Sequence, residues 1–319
     1  MQRLFQQSGL LQADQVPVRD ASADDIDEHA FDRYFERRYG QSVEEVGLPL
    51  MQLLENVDLA REGDPNLAGM LLFGNQPHRR LQVWEITAVA FPGAVLFDKQ
   101  YLDSENIDGP LEEQYRRAMA FIKRILHQVQ GERGVNTLGQ LEIPKDAFEE
   151  LLVNALVHRD FLVSATIRLF VFADWVEITS PSHLPDALTS EQIRARRSNR
   201  RNKVLADHAA RILPCRGMGT GIPRALHAWP RIDLIDERDG NQFRAMVLRP
   251  QAEAAECLTS TGQAPRKNPS SAYFADEGIR GDVSLGTDGM GWAQGSQVLC
   301  RNLSPASIGY WRARNDHPG

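Results

Sequence analysis

The stretch EELLVNALVHRDF (149–161) decides how the second half of this chain folds. Its near-continuous Leu, Val and Ala residues predict a helix that is apolar nearly all round and therefore buried. Glu150, Asn154 and His158 stand four residues apart, so they form one polar stripe along that helix. The stripe is either a polar seam satisfied by a neighbouring element or a face turned towards a pocket. In a pocket, the Glu would serve as a general base and the Asn would hold a metal through its carbonyl oxygen.

The segments after the stripe predict a second domain over residues 142–250. Residues 165–185 have the branched and aromatic composition of two strands around a turn at Ala173 and Asp174. The remaining elements are expected in this order: a basic helical segment over 189–213, a glycine loop that runs into a helix over 215–229, and a closing strand over 242–250.

Upstream, residues 1–130 mix helices and strands and predict a first domain. Its expected elements are a helix over 24–40, strands over 67–74 and 81–93, and a helix over 111–129. Residues 130–141 are polar and contain glycine, which indicates a linker. Residues 251–319 show no sustained period and predict a disordered tail. The expected fold class is therefore α/β (α+β) with two domains, as the length of 319 residues also favours.

Composition excludes several classes of protein. The formal net charge of −7 means that any nucleic-acid contact would come from a local basic patch. The three cysteines (Cys215, Cys257 and Cys300) are widely spaced, which supports neither a disulfide framework nor a zinc site. The sequence contains no run of about 18 apolar residues and no signal-peptide pattern, so we expect a cytoplasmic protein with no membrane partner.

Three glycines precede the last helix of the second domain. The stretch RGMGTGIP (216–223) places Gly217, Gly219 and Gly221 at alternate positions. Such a loop is either a structural turn or a place where the backbone approaches a phosphate at a helix N-terminus. The chain has no GxxxxGK[ST] motif, so this is not a P-loop.

The stretch RARRSNRRNK (194–203) is the most basic part of the chain. Three interpretations of this stretch are open: a solvated helix face, a lid that faces phosphates, and a nucleic-acid-binding patch. No aromatic residues alternate with its charges, which weighs against binding to single-stranded nucleic acid.

These motifs together resemble a known family. ExxxN on a buried helix, a strand pair that ends in SPSHLP (180–185) and GxGxG before a helix occur in the order of the GHKL ATPases, which include gyrase and the histidine kinases. The chain more closely resembles the RecG-related ATP-binding transcriptional regulators, in which a GHKL (HATPase-like) domain follows a Schlafen-type AlbA DNA-binding domain. This resemblance implies a GHKL α/β sandwich, a mixed sheet with helices on one face, over 142–250. It also implies an AlbA-like domain over 1–130.

The resemblance implies a role for each matching residue. Glu150 would be the general base of a slow Mg²⁺-dependent ATPase, and Asn154 would coordinate the Mg²⁺ ion. The other nucleotide contacts that it implies are His158, Arg159 and Asp160 at the pocket edge, Ser180, Ser182 and Leu184 in the first box, Arg201 and Asn202 in the lid, and Arg216, Gly217, Gly219, Thr220 and Gly221 in the second box. ATP and Mg²⁺ are the implied cofactors, and DNA and a second copy of the chain are the implied partners.

The chain also departs from the family pattern. GHKL proteins usually carry an Asp that binds the adenine amino group, and the closer family often has Asn-Pro-Gly-Gly-Leu-Pro, where this chain has SPSHLP. A serine is a weaker acceptor than a carboxylate. The chain starts at MQRLFQQSG (1–9), which resembles the interior of the AlbA-type domain, so we expect that domain to be N-terminally truncated. Without a Walker A sequence, we see no motor for strand separation.

Three function classes remain open. The first is a slow ATPase that uses nucleotide to change conformation, which Glu150 favours. The second is a DNA-binding transcriptional regulator with a degenerate, non-hydrolysing pocket, and the third is a protein that merely folds. The altered first box favours the second or the third class.

Overall fold

The computed structural model describes residues 12–94, 100–129, 139–185, 188–195, 197, 199–214 and 220–250. These residues form a mixed α/β fold, as the sequence predicts. The central part of the expected linker (130–138) and the expected disordered tail (251–319) lie outside the described residues.

A six-stranded mixed sheet forms the centre of the described fold. Its strands are β3 (Ile86–Ala90), β4 (Asp103–Ile107), β7 (Ile167–Val171), β8 (Trp175–Pro181), β9 (Ile232–Glu237) and β10 (Gln242–Leu248). They lie in the order β4-β3-β7-β8-β10-β9. The β3–β7 pair is parallel and the other pairs are antiparallel. Four two-residue strands make two small ladders: β1 (Ala60–Arg61) with β2 (Asp64–Pro65), and β5 (Gln128–Val129) with β6 (Gln140–Leu141).

The structure describes nine α-helices in residues 12–250, and two of them pack on the central strands of the sheet. The helices are α1 (Glu28–Tyr39), α2 (Val43–Val46), α3 (Leu50–Asn56), α4 (Leu67–Phe73), α5 (Leu111–Ile125), α6 (Lys145–His158), α7 (Ser190–Arg194), α8 (Lys203–Ile212) and α9 (Gly221–Ala228). Short 3-10 turns lie at Ala13–Gln15, Ala23–Asp25 and Pro77–Arg79. Helix α5 packs on β3, β4 and β7, helix α6 packs on β8 and α5, and helix α9 packs along α6. Alternate residues of β3 and β7 are buried, because the helices cover one face of these strands.

Most of the expected elements are present, and two expectations were wrong. Residues 67–74 form the helix α4 rather than a strand. Asn66 caps this helix, because its side chain accepts a hydrogen bond from the Gly69 N–H at 2.9 Å. All seven helical residues are buried, so the sequence shows no polar and apolar alternation with the period of a helix. The segment 189–213 is not one helix, because α7 ends at Arg194 and α8 begins at Lys203.

The sheet includes strands from both sides of the expected domain boundary. β3 and β4 belong to the first stretch, and β3 pairs with β7 of the second stretch over five residues, from Ile86 with Ile167 to Ala90 with Val171. The N-terminal stretch also contacts α8, where Asp14 accepts the backbone N–H groups of Val204 and Leu205 at 2.9 and 3.1 Å. The division into domains at 1–130 and 142–250 stays a prediction, and it does not coincide with a break in the sheet.

Candidate functional site

A cavity opens between α6, the end of β8 and the N-terminus of α9. The space open to the centres of water molecules measures about 170 Å³. The lining residues are Glu150, Leu151, Val153, Asn154, Ala155, Val157 and His158 of α6, Ile178, Ser180, Ser182, His183, Leu184, Pro185 and Leu188 of β8 and the loop after it, Ile193, Arg197, Asn199, Arg200 and Ala206 around the basic stretch, Thr220, Gly221, Ile222 and Arg224 at α9, and Phe243 and Ala245 of β10.

The polar stripe of α6 faces this cavity along its length. Glu150 is only 6% exposed, and its carboxylate forms an ion pair with the guanidinium of Arg224 on α9. The Asn154 amide nitrogen donates to the Glu150 backbone carbonyl at 2.7 Å, which fixes the Asn154 side chain on the helix. The stripe therefore lines a cavity, and Glu150 also has an ion-pair partner of the kind that the seam interpretation predicts.

His158 lies at the end of the stripe, where α6 ends. Its Nδ1 atom is buried and has no hydrogen-bond partner among the described residues. Burial, together with the nearby Arg201 and Arg200 guanidinium groups, lowers the pKa of His158 from 6.5 to about 4. The imidazole is therefore neutral at neutral pH and adds no positive charge to the cavity.

The N-terminus of α9 closes the cavity opposite Glu150. Gly221 packs so closely on the stripe that a methyl group in its place would collide with the Glu150 carboxylate and crowd the Asn154 amide. Thr220 is the N-cap residue, but its side chain makes no capping hydrogen bond. The absence of a side chain at Gly221 thus allows this close packing against the stripe. Arg216, Gly217 and Gly219 of the expected second box lie outside the described residues.

The three residues expected in the first box all line the cavity. The Ser180 hydroxyl donates to the Ala155 carbonyl at 3.3 Å, and its oxygen keeps the capacity to accept a hydrogen bond. Ser182 has a φ angle of 83°, and its N–H donates to the Asn241 carbonyl at 2.7 Å. The Leu184 N–H donates to the Asp236 carboxylate at 2.8 Å, which anchors the loop to β9.

Four residues that were expected at the nucleotide site do not line the cavity. Arg159 is 1% exposed, and it donates to the carbonyls of Val83 and Ala165 at 3.3 and 2.6 Å. Burial lowers its pKa to about 10, so it stays protonated at neutral pH. The Asp160 carboxylate accepts the Leu162 N–H at 3.0 Å within the turn after α6. The positions of Arg159 and Asp160 are thus set by the turn that leaves the helix.

Arg201 and Asn202 bind the C-terminal end of α6 from behind the cavity. Asn202 is fully buried, and its amide donates to the Val157 and Arg159 carbonyls at 2.9 Å each. Arg201 donates to the His183 carbonyl at 2.9 Å and to the His158 carbonyl at 3.5 Å. Helix ends need such partners for their last carbonyls. Within the basic stretch, their neighbours Arg197 and Arg200 do line the cavity.

Arg224 was not expected from the sequence, and it contributes the guanidinium that pairs with the stripe. The signal was available in RGMGTGIPRAL, because Arg224 lies three residues after Gly221 and a helix therefore brings both to one side. Arg197 and Arg200 were also missed as individual residues, although the basic stretch that contains them was singled out. Together the three arginines give the cavity a positive rim.

The part of the chain that the structure describes contains no group of three or more His, Cys, Asp or Glu side chains placed to hold a metal ion. None of its helices is both long and apolar enough to cross a membrane.

Two comparisons with known proteins found similarities, one to a solved structure and one to a protein family. The DIP2311 protein from Corynebacterium diphtheriae has a similar solved structure, with a TM-score of 0.54 and 21% sequence identity over 77% of this chain and 49% of that chain. This likeness concerns the fold alone, and the match spans about half the length of that protein. No curated protein matches the chain. Residues 164–244 match the family described as "Putative ATP-dependent DNA helicase recG C-terminal". The match begins after the α6 stripe and includes the first box, the basic stretch and the glycine loop. Residues 164–244 are therefore similar to a RecG-related, ATPase-like family.

Proposed function

We propose that the cavity binds ATP together with Mg²⁺ and that nucleotide binding regulates the protein. One observation carries the proposal: Glu150, Asn154 and His158 face the same cavity as Thr220 and Gly221 at the N-terminus of α9. A helix N-terminus offers N–H groups and a positive partial charge to phosphates. The ATPase-like region at 164–244 supports the choice of ATP as the ligand.

The cavity lining combines apolar and basic residues, and this combination suits a nucleotide. Ile178, Phe243 and Ala245 give one part of the lining an apolar surface on which an adenine ring would lie. Ser180, in the same lining, would hydrogen-bond the base. Arg197 and Arg200 would contact the phosphates from the rim, since a guanidinium pairs with phosphate oxygens in a planar fork.

The Asn154 side chain fits the role of a magnesium ligand. Its amide nitrogen is engaged with the Glu150 carbonyl, so the side chain is fixed and its carbonyl oxygen is the atom of the type that Mg²⁺ prefers. Bound Mg²⁺ would supply charge neutralisation to the phosphates. The described residues hold no cluster of carboxylates or histidines for a metal on its own, which suits an ion that arrives with its nucleotide.

Hydrolysis is the less supported part of the ATPase hypothesis. Glu150 is paired with Arg224, and a carboxylate in an ion pair is a weaker base for a water molecule than an unpaired one. This pair favours the second candidate function, a regulator whose pocket binds nucleotide without turnover. Association with DNA and assembly into a homodimer are proposed on the family resemblance alone.

Isothermal titration of Mg-ATP into the full chain tests the proposal. We expect saturable binding, and we expect Asn154→Ala to weaken it about tenfold through the lost metal ligand. Glu149→Ala is the matched control, because Glu149 lies on the same helix, pairs with Lys145 at 3.0 Å and does not line the cavity. The absence of both heat and thermal stabilisation at several millimolar ATP would overturn the proposal.

A further inference from the structure

The ion pair between Glu150 and Arg224 joins two elements across the cavity. Glu150 belongs to α6 and its side chain is 8% exposed, whereas Arg224 belongs to α9 and its side chain is 36% exposed. The carboxylate is thus the buried partner, and the guanidinium reaches it from the open side. The Arg224 Nε atom is buried and has no hydrogen-bond partner among the described residues. The guanidinium therefore has hydrogen-bonding capacity that its present contact with Glu150 does not use.

The charges around the pair make this contact important for any anionic ligand. His158 on the same stripe is neutral, since its pKa is lowered to about 4. Arg197 and Arg200 also line the cavity and lie on the exposed basic stretch. Glu150 is the only acidic side chain that lines the described cavity. An entering phosphate chain would be repelled by Glu150 and attracted by Arg224, so the two groups oppose each other in ligand binding.

We propose that Arg224 is an exchangeable phosphate anchor, which Glu150 holds when the cavity is empty and which the phosphate chain of the ligand takes over. This inference rests on the proposed function, because it concerns the phosphate-binding end of the same cavity. A guanidinium binds phosphate through charge-assisted, often bidentate hydrogen bonds. Glu150 competes for those bonds, and it therefore sets how tightly a polyphosphate binds.

Substitution of Glu150 and substitution of Arg224 are expected to change polyphosphate affinity in opposite directions. Glu150→Gln keeps the shape of the side chain but removes the competing charge, so polyphosphates bind more tightly. Arg224→Ala removes the anchor and leaves a buried carboxylate unpaired in front of the phosphates, so polyphosphates bind more weakly. A pair that only holds α6 and α9 together would instead lose binding in both variants, because both would loosen the cavity.

The experiment is calorimetric titration of the full chain with two probes, Mg-ATP and inorganic tripolyphosphate with Mg²⁺. The proteins are the wild type, Glu150→Gln, Arg224→Ala and the double variant. We expect Glu150→Gln to tighten both probes about tenfold, Arg224→Ala to weaken both at least about tenfold, and the double variant to bind between Arg224→Ala and the wild type. Glu149→Gln and Arg231→Ala are the charge-matched controls away from the cavity, and neither is expected to change binding. Thermal unfolding without ligand reports whether each variant is folded.

The outcomes separate this inference from the proposed function. Unchanged or weaker polyphosphate binding in folded Glu150→Gln would overturn the anchor, while a wild-type preference for ATP over tripolyphosphate would leave the ATP site standing. Equal affinities for the two probes, together with the expected response to both variants, would support the anchor and overturn the adenine site. Failure of the wild type and Glu150→Gln to bind either probe would overturn both.

Discussion

Ser182 has an unusual backbone angle in the loop that lines the cavity. Its φ angle of 83° lies in the left-handed region that favours glycine. The residue is 5% exposed, and its hydroxyl donates to the His183 carbonyl at 3.1 Å. The family that the chain resembles often has a glycine at this position. The strain is held in place because the Ser182 N–H bonds the Asn241 carbonyl.

We expect Ser182→Gly to raise the free energy of unfolding by about 1 kcal/mol, because glycine adopts this conformation without steric cost. Ser182→Ala is the matched variant, since it also loses the hydroxyl but keeps the strain, and we expect it to be no more stable than the wild type. Urea unfolding followed by circular dichroism measures both. A glycine variant that is no more stable than the alanine variant would rule out strain at this residue.

Asn202 illustrates why the sequence did not show which of the expected residues line the cavity. Its amide binds carbonyls of residues 157 and 159, more than forty positions earlier in the chain. Arg159 likewise binds the carbonyl of Val83. Contacts between residues so far apart in the sequence leave no local periodicity or motif. A polar residue near a glycine-rich motif is therefore predicted to contact a ligand even where it binds a distant carbonyl instead. The stripe of α6 was predictable because all of its spacing lies within one helix.

At the scale of elements, His208 connects α8 with α1. It is 3% exposed, its Nε2 lies 3.0 Å from the Val57 carbonyl, and its Nδ1 lies 2.5 Å from the Tyr34 hydroxyl. The carbonyl needs a proton on Nε2, so Nδ1 is the acceptor for Tyr34 and for Arg38, which lies at 3.0 Å. Burial and the Arg38 charge lower the pKa of His208 to about 4, although Asp207 and Asp58 act in the opposite direction.

This shift predicts that acid weakens the fold. In the unfolded chain, His208 is protonated below a pH of about 6.5. In the folded chain, His208 stays neutral until the pH nears 4. Stability is therefore lost as the pH falls through this window, by up to about 3 kcal/mol from this residue. His208→Gln should remove that part of the pH dependence, while His158 keeps its own contribution in the same direction. Urea unfolding at several pH values measures the free energy of unfolding of both proteins. If that free energy depended on pH in His208→Gln as it does in the wild type, the buried imidazole would not be the neutral group that we infer.

The elements themselves were predictable where the local pattern was unambiguous. The β7–β8 hairpin was expected from branched residues on both sides of Ala173 and Asp174, and the structure confirms it. Helix α4 was predicted as a strand. Its residues are buried on all sides, so the spacing of polar and apolar residues that distinguishes a helix from a strand is missing. Strand β9 was not expected, since IDLIDE mixes acidic residues into a half-buried strand.

At the scale of the whole molecule, the two halves of the described chain share one sheet. Without β3 and β4, strand β7 would become an exposed edge with a buried apolar face. Helix α5 covers β3, β4 and β7, and it would be lost with them. The Asp14 cap of α8 and the Tyr34 contact of His208 also come from the N-terminal half. The region around the cavity therefore depends on residues that precede it by more than a hundred positions.

We expect a fragment of residues 142–250 to lack cooperative unfolding, although the length and composition of the chain predict a separate domain there. A fragment of residues 12–250 retains every described residue and should unfold in a single transition, because the sheet and both helix contacts are intact. Circular dichroism with urea titration compares the two fragments. A cooperative transition in 142–250 alone would show that this half folds independently, and it would mean that the β3–β7 pairing is a contact between domains rather than part of one core.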